Sequence, residues 1–143
     1  MNASITIPTP PPAVRAVFDA YPAGARTLLL VVRDLIFETA AGLPEAGRIS
    51  ETLKWGEPAY LTETPKSGTT LRLAWSPRRP DSAGLFVNCQ TTLLDEWREL
   101  YGADLDLIGN REIRFPLGRV PPAGPLGHCI AMALTYHKRK PAQ

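Results

Sequence analysis

The chain has 143 residues, of which 44% are hydrophobic and 21% are charged, a composition typical of one globular domain and not of a disordered chain. Its 16 basic and 14 acidic residues leave a net charge of +2, which is too small to favour nucleic acid or a membrane surface as a partner. The longest apolar run, residues 28–32, is far shorter than a bilayer span, and the first residues lack a signal-peptide pattern. Cys89 and Cys129 form no metal or redox motif, so the sequence predicts a cytoplasmic protein with reduced thiols.

The first third of the chain predicts a tail followed by two helices. Residues 1–12 are rich in proline, which lacks an N–H group and restricts its neighbours, so we expect a flexible extended tail. Apolar residues at helical spacing predict a short helix over 13–21 that ends at Pro22, and a longer amphipathic helix over 23–42. The apolar stripe of the longer helix consists of Leu28, Leu29, Val32, Leu35, Ile36 and Thr39. The charged residues predicted to lie away from this stripe are Arg26, Arg33, Asp34 and Glu38.

The remainder of the chain predicts an antiparallel sheet. A bulge or bend is expected where Gly56 and Pro58 interrupt the first strand. Short loops between strands favour one α+β domain over 13–139, with a sheet of about four to five strands, helices packed on one face and a tail at 140–143. The predicted elements are strands over 49–61, 69–76 and 84–90, a helix that ends at Gly102, a strand within 105–117 and a helix over 126–138.

The bend in the first strand is the first candidate site. Lys54, Trp55, Glu57 and Tyr60 surround it, which places two large aromatic rings beside a carboxylate and an ammonium group. Apolar neighbours would favour the protonated form of Glu57, and Lys54 would favour the charged form. The bend is therefore a candidate ligand site, with an exposed glutamate in a structural bend as the alternative.

A second candidate site is the polar face of the sheet. Lys54, Arg72, Asn88 and Arg114 belong to separate predicted strands, and each lies opposite the more apolar residues of its strand. An antiparallel sheet could gather these four side chains on one face, where they could bind an anion or a protein partner. A face exposed only to solvent gives the same alternation, so the pattern leaves both interpretations open.

Motifs for common catalytic chemistry are missing from the sequence. His128 and His137 are nine residues apart, which places them on opposite faces of one continuous helix. Neither a Gly-x-Ser-x-Gly turn nor a glycine-rich phosphate loop is present. Hydrolysis and nucleotide-dependent chemistry are therefore disfavoured.

The chain resembles the YdhG-like domain family of bacterial proteins. The resemblance rests on residues 51–60 (ETLKWGEPAY), on residues 113–117 (IRFPL) before a terminal helix, and on Tyr21-Pro22 before the long helix. It implies an α+β fold with a curved antiparallel sheet and a similarity to frataxin-like iron chaperones, which hold iron on an acidic helical ridge through oxygen ligands. On the long helix of this chain that ridge would consist of Asp34 and Glu38, so iron is the metal that the resemblance implies.

Three functions follow as hypotheses. The first is a binding protein that holds a small ligand or a metal ion such as iron without catalysis. The alternative is an interaction module that associates with another protein or with itself as a homodimer through the open sheet face. The third is an enzyme that uses Glu57 as acid or base.

Overall fold

A computed structural model describes residues 6–139, which form one antiparallel sheet and five α-helices within that range. The predicted tail at 140–143 and the first five residues of the predicted tail at 1–12 lie outside the described residues. The helices are α1 (Pro12–Ala20), α2 (Ala23–Ala41), α3 (Leu93–Tyr101), α4 (Ala123–Leu134) and α5 (Tyr136–Arg139), with a 3-10 turn at Pro44–Ala46. The strands are β1 (Ile49–Lys54), β2 (Glu57–Thr62), β3 (Leu71–Trp75), β4 (Ser82–Phe86), β5 (Asp106–Ile108) and β6 (Glu112–Pro116).

The six strands form a single sheet in the order β1-β2-β3-β4-β6-β5, and every neighbouring pair is antiparallel. The α+β class is confirmed, although the sheet has six strands where about four to five were predicted. One of the additional strands is β5, which pairs with β6 within the segment 105–117. The other additional strand results from a turn at residues 55–56, which divides the predicted first strand into β1 and β2.

The single strand predicted over 49–61 is wrong, because the chain reverses direction at Trp55 and Gly56. Both residues have positive φ, 56° and 75°, which is the backbone of a two-residue type I′ hairpin turn. Lys54 therefore faces Glu57, and β1 pairs with β2. Pro58 lies within β2 beyond the turn, and only Ala59 and Tyr60 pair with β3, so the hairpin tip extends past the ladder that joins it to the sheet.

The hydrophobic core lies on one face of the sheet. Tyr60, Leu71, Leu73, Leu85 and Ile113 point into the core, and all five are fully buried. The stripe of α2 packs against them through Leu28, Leu29, Val32 and Ile36, as predicted, while α1 and α4 complete the layer. The outer face carries residues of the opposite parity, among them Lys54, Glu57, Arg72, Phe86, Glu112 and Arg114.

Arg33 departs from the predicted surface position. Its side chain is buried between α2 and β1, where Nε lies 2.6 Å from Oε2 of Glu51 and Nη2 lies 2.8 Å from Oε1. The hydroxyl of Tyr60 donates a hydrogen bond to Oε2 of Glu51 over 2.8 Å. Nη2 of Arg33 also donates to the carbonyl of Pro8, so this part of the predicted tail is held against the domain.

Burial of ionisable groups in the core predicts a loss of stability at alkaline pH. Burial raises the pKa of the Cys129 thiol from 9.0 to about 12. Between those values the unfolded chain releases the thiol proton and the folded protein keeps it, so the free energy of unfolding falls as the pH rises. We expect a decrease of about 1.4 kcal/mol between about pH 8 and about pH 10, measured by urea unfolding. In Cys129→Ala this part of the decrease should disappear. If the free energy of unfolding of that variant fell as steeply with pH as that of the wild type, the effect could not be assigned to the Cys129 thiol.

Candidate functional site

A groove of about 270 Å³ lies where the tip of the β1–β2 hairpin meets one end of the sheet. Lys54 and Trp55 contribute one side from the hairpin. The other side comes from the end of the sheet at which β3 and β6 begin and β4 ends. The lining residues are Lys54, Trp55, Thr69, Thr70, Arg72, Val87, Asn88, Cys89 and Arg111.

Backbone contacts fix the segments that line the groove. The N–H of Val87 donates to the carbonyl of Arg111 over 2.8 Å, which joins the end of β4 to the start of β6. The N–H of Thr69 donates to the carbonyl of Ala133 in α4 over 2.9 Å. Buried Ser67 strengthens this connection, because its hydroxyl donates to the carbonyl of Leu134 over 2.9 Å. The wall of the groove is therefore anchored to the core helix α4.

The groove is cationic. Arg72 is held by Glu57, whose Oε1 lies 2.5 Å from Nη1 of the arginine, and its guanidinium also lies 5.7 Å from the ring centre of Phe86. Lys54 and Arg111 form no ion pair with any residue between 6 and 139. Two side-chain positive charges in the groove thus lack a protein counterion within the described residues, and an anion entering the groove would supply one.

Neutral polar groups stand beside these charges. The side-chain oxygen of Asn88 accepts a hydrogen bond from the N–H of Gln90 over 2.8 Å, which fixes the amide with its NH₂ group as the remaining donor. Thr69 and Thr70 belong to the same lining. Cys89 is an exposed free thiol. The groove can therefore offer both charged and neutral donors, which is the donor set that carboxylates and phosphates require.

Trp55 forms the rim of the groove, and its side chain is 90% exposed. The other two tryptophans differ from it. Trp97 is fully buried, and half-buried Trp75 donates its indole N–H to the carbonyl of Pro80 over 3.1 Å. Trp55 is thus a large apolar surface presented to solvent in the same groove that Lys54 and Arg111 line.

The structure brings together four of the seven residues predicted to bind a ligand. Lys54, Trp55, Arg72 and Asn88 line the groove, and Glu57 lies behind Arg72 as its ion-pair partner. Tyr60 is not part of this arrangement, because it is buried on the opposite face of the sheet and its hydroxyl is hydrogen-bonded to Glu51.

Arg114 lies on the outer face of the sheet, as predicted, but outside the groove. This residue is held by Glu112, whose Oε2 lies 3.0 Å from Nε of the arginine, and it is not among the groove-lining residues. The hydrogen bond that Arg114 donates to the carboxylate of Glu112 raises the pKa of Arg114 above its usual value. Strand alternation does not identify the remaining polar lining residues, because they lie just outside the strands that border the groove: Thr69, Thr70, Cys89 and Arg111.

The two acids proposed as metal ligands lie elsewhere. Asp34 and Glu38 are both exposed on α2. Within residues 6–139, no group of three or more His, Cys, Asp and Glu side chains is placed to hold a metal ion. Iron binding by Asp34 and Glu38 stays a prediction.

Comparison of the chain with protein-family models, with curated proteins and with solved structures finds no match. The YdhG-like resemblance therefore stays a prediction. No helix in the described part of the chain combines the length and the apolar character that crossing a membrane requires.

Proposed function

We propose that this protein is a cytoplasmic, YdhG-like binding protein that holds a small anion, a carboxylate or a phosphate, in the groove without catalysis. The observation that carries the proposal is the convergence of Lys54, Arg72 and Arg111 on one concave surface where only Arg72 has a carboxylate partner among the described residues. The side-chain amide of Asn88 and the threonine hydroxyls add neutral donors that orient a ligand.

A binding role fits the groove better than an acid–base role for Glu57. The carboxylate of Glu57 is engaged by Arg72 and does not line the groove. The described lining contains no carboxylate or imidazole that could serve as a general base beside Cys89. His128 lies elsewhere, with Nδ1 2.7 Å from the hydroxyl of Tyr101.

Removal of one groove cation should weaken anion binding. Titration calorimetry with inorganic phosphate would compare the wild type with Lys54→Ala and Arg111→Ala at low ionic strength. A charge-assisted hydrogen bond contributes roughly 1.5–3 kcal/mol, so we expect the dissociation constant to rise about tenfold or more in each variant. Added sodium chloride should weaken binding to the wild type as well, because salt screens exposed charges.

Arg78→Ala is the matched control for this experiment. Arg78 is an exposed arginine in the loop between β3 and β4, and it does not line the groove. Its removal lowers the net charge of the protein by the same amount as Arg111→Ala. Equal weakening in the two variants would show a nonspecific charge effect and would overturn the proposal, as would unchanged phosphate affinity in Lys54→Ala and Arg111→Ala.

Self-association through the outer sheet face is the second candidate. No helix in the described part of the chain packs on this face. Half-buried Phe86 lies on it, between the Arg72–Glu57 ion pair and the Glu112–Arg114 ion pair. An aromatic side chain that lies between two ion pairs is suited to a self-complementary homodimer contact. Sedimentation that gives only a monomer mass at high protein concentration would remove this candidate.

A further inference from the structure

The backbone at Trp55 is unusual for a tryptophan. Among residues 6–139, Trp55 is the one non-glycine residue with a positive φ, which is 56°. The first position of a type I′ turn favours Asn, Asp or Gly, because a bulky side chain is strained in the left-handed region. Residues that keep such a conformation concentrate at functional sites.

Packing within the chain does not explain this tryptophan. Its side chain is 90% exposed, so burial of the ring cannot be the factor that retains it at a strained position. No stacking, edge-to-face or cation–π contact joins its ring to another described residue. The exposed indole ring is thus accessible to an external partner at the rim of the cationic groove.

The chemistry of the rim and the groove together specifies a class of ligand. We infer that the natural ligand is a small planar aromatic or heteroaromatic anion, whose ring stacks on Trp55 while its carboxylate or phosphate pairs with Lys54 and Arg111. This inference rests on the anion-binding function proposed above. An aromatic ring gains from stacking on an exposed indole, and an acid group gains from two cations without protein counterions.

The size of the groove restricts the ligand further. Its volume of about 270 Å³ lies below the range of roughly 300–1,000 Å³ that is usual for drug-sized ligands. The groove can therefore hold one acid group together with one small ring system, with Trp55 at its rim.

Two probes of equal charge separate stacking from charge recognition. Phenyl phosphate and methyl phosphate carry the same acid group, and only phenyl phosphate carries a ring. Calorimetric titration of the wild-type protein should give a dissociation constant for phenyl phosphate about tenfold lower than that for methyl phosphate, because stacking on an aromatic side chain contributes roughly 1–3 kcal/mol.

Trp55→Asn is the variant that tests the ring directly. Asparagine is favoured at the first position of a type I′ turn, so the hairpin should remain folded and gain stability. We expect Trp55→Asn to bind phenyl phosphate about tenfold more weakly than the wild type and methyl phosphate equally well. A higher midpoint of urea unfolding in the same variant would support strain at Trp55.

The outcomes distinguish this inference from the proposed function. Equal binding of the two phosphates by the wild type, or unchanged phenyl phosphate affinity in Trp55→Asn, would overturn the aromatic ligand. Anion binding itself would still stand if Arg111→Ala weakened both probes. If Arg111→Ala weakened neither probe, or if the wild type bound neither, the anion-binding function would fail along with the inference.

Discussion

Replacement of Glu51 by alanine should lower the free energy of unfolding by about 3–5 kcal/mol, because it leaves a buried arginine without its counterion. The side chains of Arg33 and Glu51 are only 4% and 5% exposed, and two hydrogen bonds join them. Burial acts to lower the pKa of Arg33, yet the hydrogen bond and the charge of Glu51 outweigh it and raise that pKa above its usual value. An arginine side chain is effectively always protonated in proteins, so Arg33 stays charged when the carboxylate is removed. Urea unfolding of the variant at neutral pH measures the effect.

Two further variants separate the ion pair from simple packing. Tyr60→Phe removes only the hydrogen bond from the hydroxyl to Glu51, and we expect a loss of about 1–2 kcal/mol. The double variant Arg33→Met with Glu51→Leu removes both charges and should be far closer to the wild type than Glu51→Ala, because apolar pairs commonly replace buried ion pairs at little cost. If Glu51→Ala and the double variant were equally destabilised, the unpaired charge would not be the cause.

The sequence contains a signal for this buried pair that the polarity of Arg33 alone does not show. Arg33 follows Leu29 by four residues and precedes Ile36 by three, so it lies on the apolar stripe of α2 and not outside it. A charge on such a stripe requires a buried partner of opposite sign. Glu51 lies on the inward side of β1 together with Ile49 and Leu53, as the alternation of the strand predicts.

The sheet was predicted in class but not in detail. Alternation places Leu71 and Leu73 on one face of β3 and Leu85 on the same face of β4, and all three are buried because each strand buries one face. The hairpin at Trp55 and Gly56 was missed because tryptophan is disfavoured in the left-handed region, so the dipeptide did not resemble a type I′ turn.

That missed turn also explains how the candidate site changed. A two-residue turn places Glu57 on the same face as Lys54, and every later residue of β2 lies on the face opposite to the one expected for a continuous strand. Tyr60 consequently enters the core, whereas Lys54, Arg72 and Asn88 still meet at the groove. Arg111 was missed because it lies before β6, where strand alternation predicts nothing about its direction.

Gly68 connects the stability of the fold to the shape of the groove, and Gly68→Ala should lower the free energy of unfolding by about 3 kcal/mol. A β-carbon at this position would lie 2.6 Å from both Cα and the carbonyl oxygen of Leu134 and 2.7 Å from the carbonyl oxygen of Ala133. These are backbone atoms at the end of α4, so no side-chain rotation relieves the overlap. Residues 67–69 would have to move away from α4, which strains the hydrogen bonds that anchor this wall.

Gly127→Ala is the matched control, because it makes the same change within α4. The nearest atom to a new β-carbon there is Cδ1 of Leu35 at 3.8 Å, an ordinary contact, so we expect a gain of about 0.5–1 kcal/mol from the helical preference of alanine. Gly68→Ala should also weaken phosphate binding, because Thr69 and Thr70 follow the displaced residue into the groove, whereas Gly127→Ala should leave it unchanged. A Gly68→Ala variant with wild-type stability would show that the loop and α4 do not pack as described. Lowered stability with wild-type phosphate affinity would place the anion away from this wall, against Lys54 and Arg111 alone.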